Sequence, residues 1–149
     1  MAYLFKNLLM SFGFLFALTL TAAALPTSKF QHHYNVLVIY ATGADDEGIV
    51  KTRRMINEHG DELTKRALVI LGVFPRSVEL MFGPPQTSFA TDLAIANDMR
   101  FCFVVKADAF RAILIGKDGV QKARSYTAYD YQNLVAQLDQ MNEQHLATQ

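Results

Sequence analysis

The sequence predicts a single α/β domain in the order β-α-β, then α, then β-β-α, with a central mixed sheet flanked by helices. Three observations predict it. Two short apolar runs rich in β-branched residues, at 35–40 and 66–74, flank a stretch with roughly helical apolar spacing. An Asp-Gly turn at Asp118 and Gly119 separates two further strand patterns. The closing segment repeats apolar residues at three and four positions, as an amphipathic helix does. The length of 149 residues suits one domain, and a hydrophobic fraction of 51% supplies a packed core.

The elements follow in order. Residues 1–7 carry one charge, Lys6, and residues 8–20 are apolar except for Ser11, Gly13 and Thr19. Ala22, Ala23 and Ala24 then place small side chains where a signal peptidase reads. This layout predicts a signal peptide over 1–24 and an exported chain, periplasmic in a Gram-negative source and otherwise secreted. A retained anchor is the alternative, but a span needs about 20 apolar residues. Residues 25–33 read as a polar lead-in, and the domain is expected over 34–146.

Within that domain, NVLVIY at 35–40 predicts a buried strand. Asp45, Asp46 and Glu47 stand where a helix N-terminus welcomes negative charge, and the helix is expected over about 46–59 with Gly60 as its C-cap. RALVILGVF at 66–74 predicts a second strand, parallel to the first because a helix connects them. Residues 75–87 hold Pro75, Gly83, Pro84 and Pro85 and read as a long irregular loop. A helix is expected over 88–100. FCFVV at 101–105 is ambiguous between a short strand and a buried connection. FRAILI at 110–115 and VQKARS at 120–125 predict a hairpin, and Thr127-x-x-Asp130 resembles a capping box for the last helix.

Composition excludes several functions. With 14 bases against 14 acids there is no long-range pull toward nucleic acid, and no membrane contact is expected after signal cleavage. One cysteine excludes an intramolecular disulfide, a Cys-x-x-Cys pair and a four-cysteine zinc site. His32 and His33 are adjacent and lack a partner cluster, and His59 and His145 stand alone, so no metal and no cofactor is predicted. Lys51, Arg53, Arg54, Lys65 and Arg66 interleave with acids and read as a solvated face. Cys102, between two phenylalanines, reads as a small core residue in preference to a reactive thiol. No Gly-rich phosphate loop and no Ser-His-Asp signature occurs in the sequence.

The element order is thioredoxin-like. The string AILIGKDG at 112–119, with Leu114, Ile115, Gly116, Lys117, Asp118 and Gly119 at its centre, is followed by Lys122 and by LDQM at 138–141. With Arg66 before the second strand, it resembles a thioredoxin-like domain of unknown function. That domain occurs in short secreted bacterial proteins and in animal extracellular-matrix proteins with sushi repeats. The resemblance covers nearly all of 34–145. Two departures stand out: Lys65 and Ala67 flank the arginine where the family tends to have acids, and Met141-Asn142-Glu143-Gln144 replaces a Met-Pro-Met-Arg run. The resemblance implies a fold and no activity, and the turn itself explains Asp118 and Gly119, so the motif reads as structural.

Thioredoxin-like enzymes carry a cysteine at the start of the first helix, where the dipole makes it a nucleophile. Here Thr42-x-x-Asp45 echoes the peroxiredoxin Thr-x-x-Cys spacing with the nucleophile replaced. The proline expected before the third strand is also absent, since Ala107-Asp108-Ala109 stands there. Ligands of open α/β sheets gather at the carboxyl ends of parallel strands. That rule selects the 41–47 and 75–87 loops, with Thr42, Asp45, Asp46, Arg76 and Phe82 as binding candidates beside Met81 and Pro84. Two functions follow. The first is a secreted non-catalytic domain that binds a protein or small ligand through those loops. The alternative is a periplasmic enzyme, either a lone-cysteine redox protein using Cys102 or one using Asp45 or Asp46 as acid or base.

Overall fold

The computed structural model describes residues 26–85 and 93–149. The expected signal peptide lies outside them, as does the expected start of the helix at 88. The chain runs η1 (Pro26–Phe30), β1 (Asn35–Tyr40), α1 (Glu47–Lys65), β2 (Leu68–Val73), β3 (Val78–Phe82), α2 (Leu93–Phe103), β4 (Arg111–Ile115), β5 (Gln121–Ser125) and α3 (Tyr131–Ala147), where η1 is a 3-10 helix. The five strands form one mixed sheet in the order β3-β2-β1-β4-β5. β1 and β2 are parallel, from Asn35 opposite Leu68 to Tyr40 opposite Val73, and the other pairs are antiparallel.

All six residues of β1 and all six of β2 are buried, because helices cover both faces of the sheet. Alternation along β1 sorts its side chains. Leu37 and Ile39 face a core shared with Ile49, Met55 and Leu63 of α1 and with Leu134, Leu138 and Met141 of α3. Val36, Val38 and Tyr40 face a second core with Phe30, Ala96 and Met99. Each fully buried aliphatic side chain contributes about 1.5–3 kcal/mol relative to exposure, so these two layers dominate stability.

Several expectations are corrected. α1 passes through Gly60 and ends at Lys65, so Gly60 is no C-cap; the helix kinks at His59 (φ −131°), whose ring stacks on Tyr131 with centroids 3.6 Å apart. The polar lead-in contains η1, because Phe30 is an apolar anchor only 2% exposed. The irregular loop contains β3, an edge strand that pairs with β2 after a tight turn at Pro75 and Arg76. Its prolines flank the strand, Pro75 before it and Pro84 and Pro85 after it, and leave its N–H groups free to pair. Helix α2 continues through Phe103, which removes both readings for 101–103; a connection follows at 104–105, with Val105 buried and Val104 exposed. The N-cap of α3 is Asp130, whose carboxylate accepts from Asn133 N at 2.8 Å, in place of Thr127.

Candidate functional site

The carboxyl ends of β1 and β2 lie on one edge, where Ala41 N donates to Val73 O at 3.1 Å. Beyond β1 the chain turns through Thr42 to Asp45, all but Gly43 exposed, and enters α1. Asp46 is the N-cap. One carboxylate oxygen accepts from Gly48 N at 2.9 Å and the other lies 3.5 Å from the Thr42 hydroxyl. The ring of Phe110 covers the first turn of α1 so closely that a Cβ on Gly48 would fall 2.1 Å from it. The end of α1 that could bind an anion is therefore occupied by its own cap and roofed by an aromatic ring.

Thr42, Asp45, Asp46 and Arg76 do share this edge, with Asp46 engaged as a cap. Phe82 does not. Strand β3 carries it away from Arg76, and it pairs with Ile70. Four residues of strand amount to roughly 13 Å. Met81 leaves the edge on the same strand, and Pro84 lies beyond its far end. An antiparallel strand inside the presumed loop is what separates them.

A residue that sequence reasoning missed anchors the edge from below. Arg100 of α2 is 6% exposed. Its Nη2 donates to Val73 O (3.3 Å) and Ala41 O (3.5 Å), and its Nη1 to Lys106 O (3.3 Å). Its Nε is buried without a hydrogen-bond partner among the described residues. The guanidinium also lies 5.6 Å from the Tyr40 ring centroid, and Tyr40 donates its hydroxyl to Met99 O at 3.0 Å. Burial pushes the Arg100 guanidinium down and the Tyr40 phenol far up from their usual values. The arginine thus ties the ends of two strands to the segment after α2. The only sequence signal for it was one cation inside an apolar helix.

Cys102 is exposed, contrary to the expected core position. Ala96, Met99 and Arg100 point inward, and the next inward position is 103, where Phe103 packs on Tyr40 with centroids 6.4 Å apart; Cys102 is left facing out. Phe101 beside it is 85% exposed. Among the described residues, no three His, Cys, Asp or Glu side chains converge to hold a metal. Four of the five cations in the basic stretch are paired: Lys51 with Glu47, Arg53 with Glu79, and Lys65 and Arg66 with Glu62.

The motif residues gather at the opposite edge. Leu114 and Ile115 are buried in β4, and Gly116 to Gly119 form the turn, with Gly119 at φ +77°. Asp118 accepts from Val120 N at 3.0 Å and pairs with Lys122 at 2.5 Å. Partial burial pushes its carboxyl up, but the Lys122 ammonium and the Val120 N–H outweigh this and hold it below the usual range. Arg66 bonds Asp139 at 2.8 Å, joining α1 to α3, and its carbonyl accepts from Asn142 at 3.4 Å and from the buried Asn35 at 3.5 Å.

Residues 26–145 match the family described as "Domain of unknown function (DUF4174)". No curated protein matches the chain. Among solved structures, the mitochondrial 2-Cys peroxiredoxin of Plasmodium falciparum is similar, with a TM-score of 0.53 and 12% identity over 82% of this chain and 83% of that one. At that identity the likeness shows the thioredoxin-like fold alone.

Proposed function

Since the chain belongs to the family of Domain of unknown function (DUF4174), we propose that it is an exported, non-catalytic thioredoxin-like domain. It binds a protein or small ligand at the edge formed by the carboxyl ends of β1 and β2. One observation carries the reading: Asp46, hydrogen-bonded to Gly48 N at 2.9 Å, caps α1 where thioredoxin-like enzymes present a thiolate. The candidates that remain for recognition are Thr42, Asp45 and Arg76, exposed on loops over a scaffold that Arg100 holds rigid. Export rests on the apolar run at 8–20 and the small residues at 22 and 24. N-terminal sequencing of the exported form is expected to begin near Leu25, and a membrane-bound chain beginning at Met1 would refute it.

The exposure of Cys102 favours the second reading, a lone-cysteine redox protein. Against it, Cys102 lies on α2, which covers the other face of the sheet from α1, and no second cysteine exists to resolve an oxidised thiol. Peroxide-consumption and insulin-reduction assays separate the two. Background rates unchanged in Cys102→Ser support the binding domain. Turnover that disappears in Cys102→Ser overturns it.

A further inference from the structure

A cavity of about 210 Å³ opens at the edge opposite the proposed binding loops. Its walls come from the start of β1, the β4–β5 turn and the last turns of α3: Asn35, Gly116, Lys117, Lys122, Met141 and His145 are among its lining residues. The turn that carries Lys117 is fixed from outside. His32 N donates to Lys117 O at 2.6 Å, and Gln31 Nε2 to Asp118 O at 3.2 Å.

The turn explains only part of its own sequence. Gly119 is required by its φ of +77°, and Asp118 by its bond to Val120 N. Gly116 has no positive φ, and its need is for space. A Cβ there would fall 2.7 Å from Lys122 Cε and 2.8 Å from Asp118 Oδ1. The missing side chain lets the Lys122–Asp118 pair lie against the backbone beside the cavity. Lys117 answers to neither requirement. Its ammonium has no ion pair among the described residues, and Asp118, the one acid lining the cavity, is taken by Lys122 at 2.5 Å. Two cations against one paired carboxylate leave the cavity net positive. The negative end of α3 is already partly neutralised, because Thr148 donates its hydroxyl to His145 O at 3.0 Å.

We propose that this cavity binds a small organic oxyanion, held by the Lys117 ammonium beside the Lys122–Asp118 pair, with its apolar part against Met141. The volume is below the roughly 300–1,000 Å³ of pockets that enclose drug-sized molecules, so the occupant is smaller. Lysine suits this as a point charge that bonds a carboxylate or a phosphate monoester alike. The site is independent of the loops at the other edge, and either can fail without the other.

The test is an NMR titration of the ¹⁵N-labelled protein with methyl phosphate and with acetate, and with methylammonium as a cation control. Saturable shifts at the amides of Gly116, Lys117, Lys122 and His145 with at least one anion, and none with methylammonium, are expected. Lys117→Gln is expected to weaken the binding about tenfold, the loss of one charge-assisted bond. Gly116→Ala, which displaces the Lys122–Asp118 pair, is expected to weaken it as well and decides the matter if Lys117→Gln melts early. No saturable shift with either anion, an equal response to methylammonium, or affinity unchanged in both folded variants would overturn the proposal.

Discussion

Replacing Gly119 by valine tests the hairpin on which both the fold and the motif cavity depend. Gly119 sits at φ +77°, where an L side chain costs about 1–2 kcal/mol and a β-branched one more. An added Cβ would also stand 3.0 Å from Gln31 Nε2, disturbing the bond from that nitrogen to Asp118 O. That bond is exposed, so its loss adds about 0.5 kcal/mol. In the opposite direction, a side chain restricts the unfolded chain and returns about 0.4–1 kcal/mol. The strain wins, and Gly119→Val is expected to lose about 2 kcal/mol, with Gly119→Ala losing about 1 kcal/mol. Urea denaturation followed by circular dichroism reads both, as a lower midpoint at constant slope. Gly116→Ala is the control: it meets flexible side-chain ends at an ordinary φ and should cost under about 1 kcal/mol, the worth of a surface ion pair. A Gly119→Val protein as stable as wild type would refute the turn geometry, and a Gly116→Ala loss larger than that of Gly119→Val would refute the assignment of strain to position 119.

Three further outcomes follow from named contacts. Asp46→Ala removes the acceptor for Gly48 N and should cost about 1 kcal/mol in the same denaturation assay, whereas a neutral effect would mean the cap is replaced by solvent. Asp118 has a folded-state value below its ordinary 3.8, so its contribution is present above that value and is lost as pH falls through the lower folded one. Stability measured from pH 5 downward should therefore fall less steeply in Asp118→Asn than in wild type. A double-mutant cycle between Arg66 and Asp139 should show a coupling of about 0.5–1 kcal/mol, since both nitrogen-to-oxygen contacts, at 2.8 and 3.4 Å, join α1 to α3 on a half-exposed surface; additive single losses would contradict it.

The buried strands were legible because NVLVIY and ALVILGV are short, rich in β-branched residues and bounded by turn residues, which suits a sheet covered on both faces. The hairpin was legible because Asp-Gly has a local geometric meaning. The reach of α1 was not, since Gly60 looks like a helix end until the stacking of His59 on Tyr131 shows what holds the helix together beyond it. Strand β3 was hidden for a similar reason. VELMF lacks strict alternation and lies among prolines, and it becomes a strand only because β2 offers it a paired edge. Missing β3 misplaced Phe82, and with it Met81 and Pro84 of the expected binding surface.

The α/β class, the parallel pairing of β1 and β2, the hairpin and the lack of a thiol at the start of the first helix are all written in the amino-acid order. Each of these depends on local composition, turn chemistry or a residue count. Packing settled the rest. It buried Arg100 beneath the strand ends, turned Cys102 to solvent, used Asp46 as a cap, and gathered Asn35, Lys117, Lys122 and Met141 around one cavity. These outcomes depend on which helix face meets the sheet and on which strand edges find partners, and residues more than 80 positions apart settle such matters only when packed against one another.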